Sequence, residues 1–83
     1  MVEYKKQNAD QLKAKVAVVA KTVPRRSLWR HKRTRNLYRV ESVALAPKTL
    51  EPMVVYYATD NIDVMWVRSA GDFVLRFDEA PHG

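Results

Sequence analysis

Apolar residues near the start of the chain recur at helical spacing. They stand four, three and four positions apart, at Leu12, Val16, Val19 and Val23. At 100° per residue these positions fall within about 60° of one another, which is typical of the apolar face of an amphipathic helix. Valine is β-branched and also favours strands, so a strand remains the alternative for this segment.

Both ends of this segment carry residues that begin or end helices. Asn8 can cap the N-terminus, and Gln11 three residues later can complete a capping box. Pro24 closes the segment, because the residue before a proline avoids helical geometry. The pattern therefore predicts an N-terminal helix over residues 8–23.

After residue 27 the pattern changes to short runs rich in β-branched and aromatic residues. Four of these runs predict strands, at residues 37–45, 53–58, 64–68 and 73–77. Gly71 and Asp72 predict a break in the chain before the last run.

The alternation of the first predicted strand is broken. Tyr38 and Val40 share one face, whereas Val43 and Leu45 share the other. A β-bulge at positions 41–42 would shift the register by one residue and bring all four side chains to the same face.

These elements predict an α+β, mainly β fold. The expected architecture is a small SH3-like or bent-sheet barrel of four or five antiparallel strands with an N-terminal helix. The length of 83 residues allows one domain, residues 1–83. Within it we expect the helix, then a basic loop over 24–36, then a strand-rich body over 37–77.

The charge is unevenly distributed along the chain, and this distribution bears on what the protein binds. Residues 1–36 hold eleven Lys or Arg and two acids, a net charge of +9, whereas residues 37–83 hold four and seven, a net charge of −3. The densest part is 25–35, where six of eleven residues are Lys or Arg. This asymmetry indicates a contact guided by electrostatic attraction to an anion.

Several chemistries are disfavoured. The chain has no cysteine, and its two histidines, His31 and His82, are fifty-one positions apart, so neither a thiolate nor a metal site is expected. No phosphate-loop glycine motif and no catalytic triad is visible. We expect no enzyme and no cofactor. No signal peptide or membrane-spanning segment is visible either, so we expect a cytoplasmic protein with no membrane partner.

The basic segment supplies most candidate binding residues. Arginine presents a planar fork of donors to phosphate oxygens, and an interleaved tryptophan can stack on a base. The alternative is a solvated loop that keeps a small protein soluble. The candidates for contact with nucleic acid or another anionic ligand are Arg25, Arg26, Trp29, Arg30, His31, Lys32, Arg33, Arg35, Tyr38, Trp66 and Arg68.

Trp66 and Arg68 stand two apart, so on a strand they share a face. They can form an aromatic platform beside a guanidinium, suited to a nucleotide. The alternative is that Trp66 fills the core and Arg68 pairs with an acid such as Asp72. His31 should be mostly neutral, because neighbouring cations disfavour its protonated form, and we expect it to be structural or to contact a ligand.

Several stretches carry a resemblance to a known family. They are Trp29-Arg30-His31, Leu37-Tyr38-Arg39-Val40, the run over 48–56, and Met65-Trp66-Val67-Arg68 with Phe73. Together they resemble the bacterial family called domain of unknown function 1653, over residues 27–77. The resemblance implies a compact, strand-rich domain and no assigned activity.

The chain departs from the family pattern in two places. Ser69 stands where the family tends to have proline after the Trp-Val-Arg tripeptide. A longer basic loop over 32–36, without glycine, replaces a short glycine-bearing turn.

The sequence thus predicts a non-catalytic binding module that recognises nucleic acid or a nucleotide through a basic, aromatic-interleaved surface. One alternative is a protein-interaction module or small regulator that docks on an acidic partner, with self-association as a variant. Another is a small-molecule pocket in the barrel mouth lined by Tyr38, Tyr56, Trp66 and Arg68.

Overall fold

The structure is a computed structural model and describes residues 9–81. Its elements follow one another as α1 Ala9–Thr22, β1 Leu28–His31, β2 Leu37–Leu45, β3 Pro52–Ala58, β4 Asn61–Ser69, α2 Ala70–Arg76 and β5 Phe77–Glu79. The α+β, mainly β fold class with an N-terminal helix is confirmed.

The strands form one antiparallel sheet in the order β4-β3-β2-β1-β5. Within residues 9–81, β4 and β5 each pair on one side only, so the sheet is open and has two edges. The expected four or five antiparallel strands are therefore five.

The predicted bulge in β2 is confirmed. Val40 lies opposite Tyr56, yet Ser42 lies opposite Val55, so Glu41 is the extra residue. The shift brings Val43 opposite Val54 and onto the same face as Val40. Because one extra residue reverses which side chains face inward, the bulge makes the whole of β2 contribute to one core.

The hydrophobic core lies on one face of the sheet, beneath the two helices. Its buried members are Val23, Trp29, Val40, Val54, Tyr56, Phe73 and Phe77, with Val19 and Val43 packed against them. We call this side of the sheet the core face and the opposite side the outer face. Side chains alternate between the two along each strand.

Helix α1 confirms the predicted helix, and the strand alternative is wrong. It ends at Thr22, before Pro24, and Val23 just beyond it is almost fully buried. The predicted Asn8 cap lies outside the described residues. No helix within residues 9–81 combines the length and the apolar character needed to cross a membrane.

The predicted strand over 73–77, with a break at Gly71 and Asp72, is wrong. Residues Ala70–Arg76 form α2, and Ser69 caps it by accepting a hydrogen bond from the Asp72 backbone N–H at 3.2 Å. Phe73 and Phe77 are both buried and stack at 4.3 Å between ring centroids. A spacing of four between core residues suits a helix, and this spacing together with the cap outweighs the local alternation.

The basic segment 24–36 is also not a continuous loop. Leu28–His31 form β1, which pairs with β2 on one side and β5 on the other. An interior strand in a basic segment is possible because alternation places Trp29 in the core while Arg30 faces outward.

Candidate functional site

One end of the core face opens into a cavity of about 210 Å³. It is lined by His31, Thr34, Tyr38, Tyr56, Trp66, Arg68 and Phe77. The lining combines aromatic rings, an imidazole and a guanidinium, and four of its members, His31, Tyr38, Trp66 and Arg68, are predicted site residues.

Strand register brings these residues together from distant parts of the chain. Tyr38 lies opposite Trp29, so His31, two positions beyond Trp29, shares the core face with it. Trp66 lies opposite Tyr56, and Arg68 follows two positions later on the same face. The cavity is therefore a product of pairing among β1, β2, β3 and β4.

The aromatic walls are held by edge-to-face contacts. Tyr38 contacts Tyr56 at 5.5 Å and Phe77 at 5.3 Å between ring centroids, and His31 contacts Phe77 at 4.9 Å. Such contacts fix ring orientation before any ligand arrives. The hydroxyl of the buried Tyr56 has a raised pKa, because burial disfavours the phenolate, so it stays a neutral phenol.

Trp66 stands apart from the other rings because it is 53% exposed. The interpretation that it fills the core is therefore wrong. An exposed indole on a strand, at the mouth of a cavity, leaves a flat surface open to a planar ligand.

Arg68 is oriented by two side chains. Its Nε donates to the Tyr56 hydroxyl at 2.9 Å, and its Nη1 donates to Asp72 Oδ2 at 2.7 Å. The expected pairing of Arg68 with Asp72 is confirmed. Among the described residues Nη2 has no hydrogen-bond partner, so part of the guanidinium fork remains available to an acceptor in the cavity.

Asp72 links the cavity to α2. Its carboxylate also accepts from Arg76 Nε at 3.0 Å, so two guanidiniums share it. Hydrogen bonds from Arg68 and then Arg76 lower the pKa of Asp72 below its ordinary value, which keeps it charged. Two cations on one carboxylate leave the cluster with net positive charge.

His31 is held as a neutral imidazole. Its Nδ1 accepts from the backbone N–H groups of Arg33 at 3.2 Å and Thr34 at 3.3 Å, so the proton resides on Nε2. Desolvation is the largest cause that lowers its pKa, followed by repulsion from Arg68, Arg33 and Arg76. The expected neutral state agrees with this direction, although burial rather than any one cation is the largest cause of the lowered pKa.

The remaining predicted site residues lie elsewhere. Trp29 is 5% exposed, donates from Nε1 to Ser27 Oγ at 2.8 Å and packs edge-on against Phe73, so its predicted stacking role is wrong. Arg25 donates from Nε to the Glu41 carbonyl of β2, and Arg30 and Arg39 lie on the outer face of β1 and β2. Arg33 lies close enough to His31 to lower its pKa by electrostatic repulsion.

Lys32, Arg26 and Arg35 lie in the turns that flank β1. Lys32 forms a long ion pair with Asp78 at 3.8 Å. The backbone carbonyls of Arg26 and Arg35 accept hydrogen bonds from other arginines. The predicted basic surface is thus divided between the cavity and the outer face.

Sequence reasoning omitted Thr34, Phe77 and Arg76 from the site. Arg76 had a usable signal, since Asp72 and Arg76 stand at the i and i+4 spacing that pairs side chains on a helix. That signal required recognising α2. Phe77 enters through its pairing with His31 across β1 and β5, and Thr34 through the turn that joins β1 to β2, and one sequence reveals neither.

The described residues contain no group of three or more His, Cys, Asp or Glu that could hold a metal ion.

Comparison with known proteins identifies the family. The family described as "Protein of unknown function (DUF1653)" matches residues 27–80, and the chain belongs to it. No curated protein and no solved structure matches the chain. The matched region contains all seven cavity residues and excludes α1.

Proposed function

We propose that this DUF1653 protein is a non-catalytic binding module that holds one nucleotide unit, with the base on Trp66 and the phosphate at Arg68. The carrying observation is that an exposed indole and a partly uncommitted guanidinium lie on the same face of β4, two residues apart, at the mouth of one cavity.

The phosphate half of the proposal rests on preorganised donors. Tyr56 and Asp72 fix the Arg68 fork, and the Nε2 proton of His31 adds a second donor in the cavity lining. Guanidinium donors match phosphate oxygens in geometry as well as charge. The positive potential of Arg33, Arg68 and Arg76 around His31 adds attraction to an anion.

The base half rests on Trp66. Stacking of a base on an aromatic side chain contributes roughly 1–3 kcal/mol and tolerates any base, since every base has a π-face. We expect the cavity to bind its ligand without catalysing a reaction. The Nδ1 lone pair of His31 already accepts hydrogen bonds from two backbone N–H groups, so it is not available to act as a general base.

Calorimetric titration with AMP, UMP, adenosine and inorganic phosphate tests the proposal. We expect both nucleotides to bind more tightly than adenosine or phosphate alone. The Trp66→Ala variant should lose roughly tenfold in affinity. Val67→Ala is the matched control, because Val67 is the next residue of β4, is 57% exposed and faces the other side. Absence of saturable binding, or an equal loss in both variants, would refute the proposal.

A protein-interaction module is the second candidate function. β4 is an edge strand with exposed Ile62, Met65 and Val67, and such an edge can pair with an extended segment of a partner. Val67→Lys should then abolish capture of a partner from nuclease-treated lysate, while leaving nucleotide titrations unchanged. A nucleotide-dependent complex that is unaffected by Val67→Lys would instead favour the first proposal.

A further inference from the structure

The outer face of β1 and β2 carries two guanidiniums held in place by backbone carbonyls. Arg30 Nη1 donates to the Arg35 carbonyl at 3.0 Å, and Arg39 Nη1 donates to the Arg26 carbonyl at 2.8 Å. Both acceptor residues have positive φ, 69° at Arg35 and 72° at Arg26, a conformation that non-glycine residues seldom adopt. The chain thus adopts two costly turns that orient two arginines.

Neither guanidinium is neutralised by its anchor, because a carbonyl carries no net charge. The carboxylates nearby have other partners: Glu41 lies 3.5 Å from Arg25, and Asp78 lies 3.8 Å from Lys32. Arg30 and Arg39 are diagonal neighbours on one face, since Leu37 lies opposite Arg30 and Arg39 follows Leu37 by two. Asp78 also lies directly opposite Arg30 in the pairing of β1 with β5, yet neither Arg30 nor Arg39 forms an ion pair within residues 9–81.

One loop joins this pair to the cavity. In residues 32–36, Thr34 lines the cavity and binds His31 through its backbone, whereas the Arg35 carbonyl holds Arg30 on the outer face. The loop also carries Lys32 and Arg33. The loop therefore connects the cavity lining to the outer face through a short, basic stretch of chain.

We propose that the ligand is a single-stranded nucleic acid, with one nucleotide in the cavity and neighbouring phosphates along loop 32–36 on Arg30 and Arg39. This inference rests on the proposed function of the cavity. A single strand is required because a base within a duplex is already stacked and paired, and so is not free to lie on Trp66. Free nucleotides lack the further phosphates that the outer pair would bind.

The test compares a mononucleotide with a ten-nucleotide single strand of the same base, titrated across a series of salt concentrations. The single strand should bind more tightly and with a steeper salt dependence. In Arg30→Gln/Arg39→Gln, two lost phosphate contacts should reduce the slope of log K against log salt by about 1.4, since each contact on a single strand contributes about 0.7. Mononucleotide affinity should be unchanged.

Two further variants separate this inference from general charge or misfolding. Lys13→Gln/Lys21→Gln removes the same charge from exposed positions on α1 and should leave the slope unchanged. Arg30→Lys/Arg39→Lys keeps the charge and should restore most of the slope even if the anchored geometry is lost.

Each outcome decides between the two proposals. Mononucleotide binding without tighter binding of the single strand overturns this inference and leaves the cavity proposal standing. Equal slopes in the Arg30/Arg39 and Lys13/Lys21 double variants, or duplex binding as tight as single-strand binding, also overturn it. Failure of every ligand to bind refutes the cavity proposal, and this inference with it.

Discussion

At the scale of single residues, this chain places arginine and leucine where backbone geometry favours glycine. Arg26, Arg35 and Leu50 are the non-glycine residues with positive φ among residues 9–81. The family resemblance gives one of these positions a context, because Arg35 lies in the loop that replaces a glycine-bearing turn. Arg35 adopts a left-handed conformation with a φ of 69°, and its backbone N–H donates to the His31 carbonyl at 2.9 Å.

The first prediction concerns this conformation. Arg35→Gly should leave the free energy of unfolding unchanged or raise it by up to about 1 kcal/mol, because relief of the left-handed penalty offsets the entropy of glycine. Arg35→Val should lower it by roughly 1 kcal/mol or more, since a β-branched residue is least compatible with positive φ. Urea denaturation measures both.

Arg33→Gly is the matched control for this prediction. Arg33 lies in the same loop without a positive φ, so glycine there should cost roughly 0.5–1 kcal/mol. If Arg35→Gly is as destabilising as Arg33→Gly, backbone strain at Arg35 is not the operative factor.

At the scale of elements, α2 shows how a seven-residue helix forms in a segment with strand-like alternation. Ser69 caps it, Asp72 bridges Arg68 and Arg76, and Phe73 anchors it in the core. Isolated helices this short are unstable in water, so its stability comes from the cap and from packing. α2 in turn supplies the carboxylate that orients Arg68.

The second prediction therefore concerns Gly71, inside α2. A Cβ added there would meet no atom within 4 Å, and its φ is not positive. Gly71→Ala should raise the free energy of unfolding by about 0.5–1 kcal/mol through helix propensity.

Ser69→Ala provides the opposing change at the same helix. Loss of the cap should lower the free energy of unfolding by about 1 kcal/mol. A Gly71→Ala variant that is less stable than the natural chain would contradict the helical assignment of this segment, and chemical denaturation decides between the two signs.

At the scale of the whole molecule, the sheet separates two basic regions with different roles. The core face contributes a cavity with aromatic walls and an oriented guanidinium, and the outer face contributes the carbonyl-anchored Arg30 and Arg39. The cavity groups also link folding to pH, because His31 and Asp72 both have pKa values lowered in the folded state.

The third prediction concerns this linkage. Because His31 binds its proton less readily when folded, the unfolded state takes up more protons as pH falls below about 6.5, and stability should decline there. Asp72 adds a second loss as pH falls below the ordinary carboxyl range near 4, where the unfolded chain protonates first.

His31→Gln should remove the first decline and keep the second. Urea denaturation of both proteins between pH 7.5 and pH 3 measures the two steps. An identical decline between pH 6.5 and pH 5 in both proteins would show that His31 is not its source.

The elements that could be predicted from the sequence are those with a hydrophobic pattern that repeats over a long segment. The helical spacing of Leu12, Val16 and Val19 and the broken alternation of β2 are both confirmed. The family assignment is confirmed as well. The elements that the sequence did not predict, β1, α2 and β5, are only four, seven and three residues long, and in so short a segment helical and strand periodicity fit the same residues.

The sequence by itself determined the asymmetry of charge, the lack of cysteine in these 83 residues and the placement of Trp66 and Arg68 on one face, because each depends only on composition or on spacing within one strand. Only the tertiary structure decided that Trp29 is buried while Trp66 is exposed, and that the arginines divide between two faces. Burial and facing depend on which strands pair and where the helices pack. Those contacts join residues far apart in the chain, and a local pattern does not specify them.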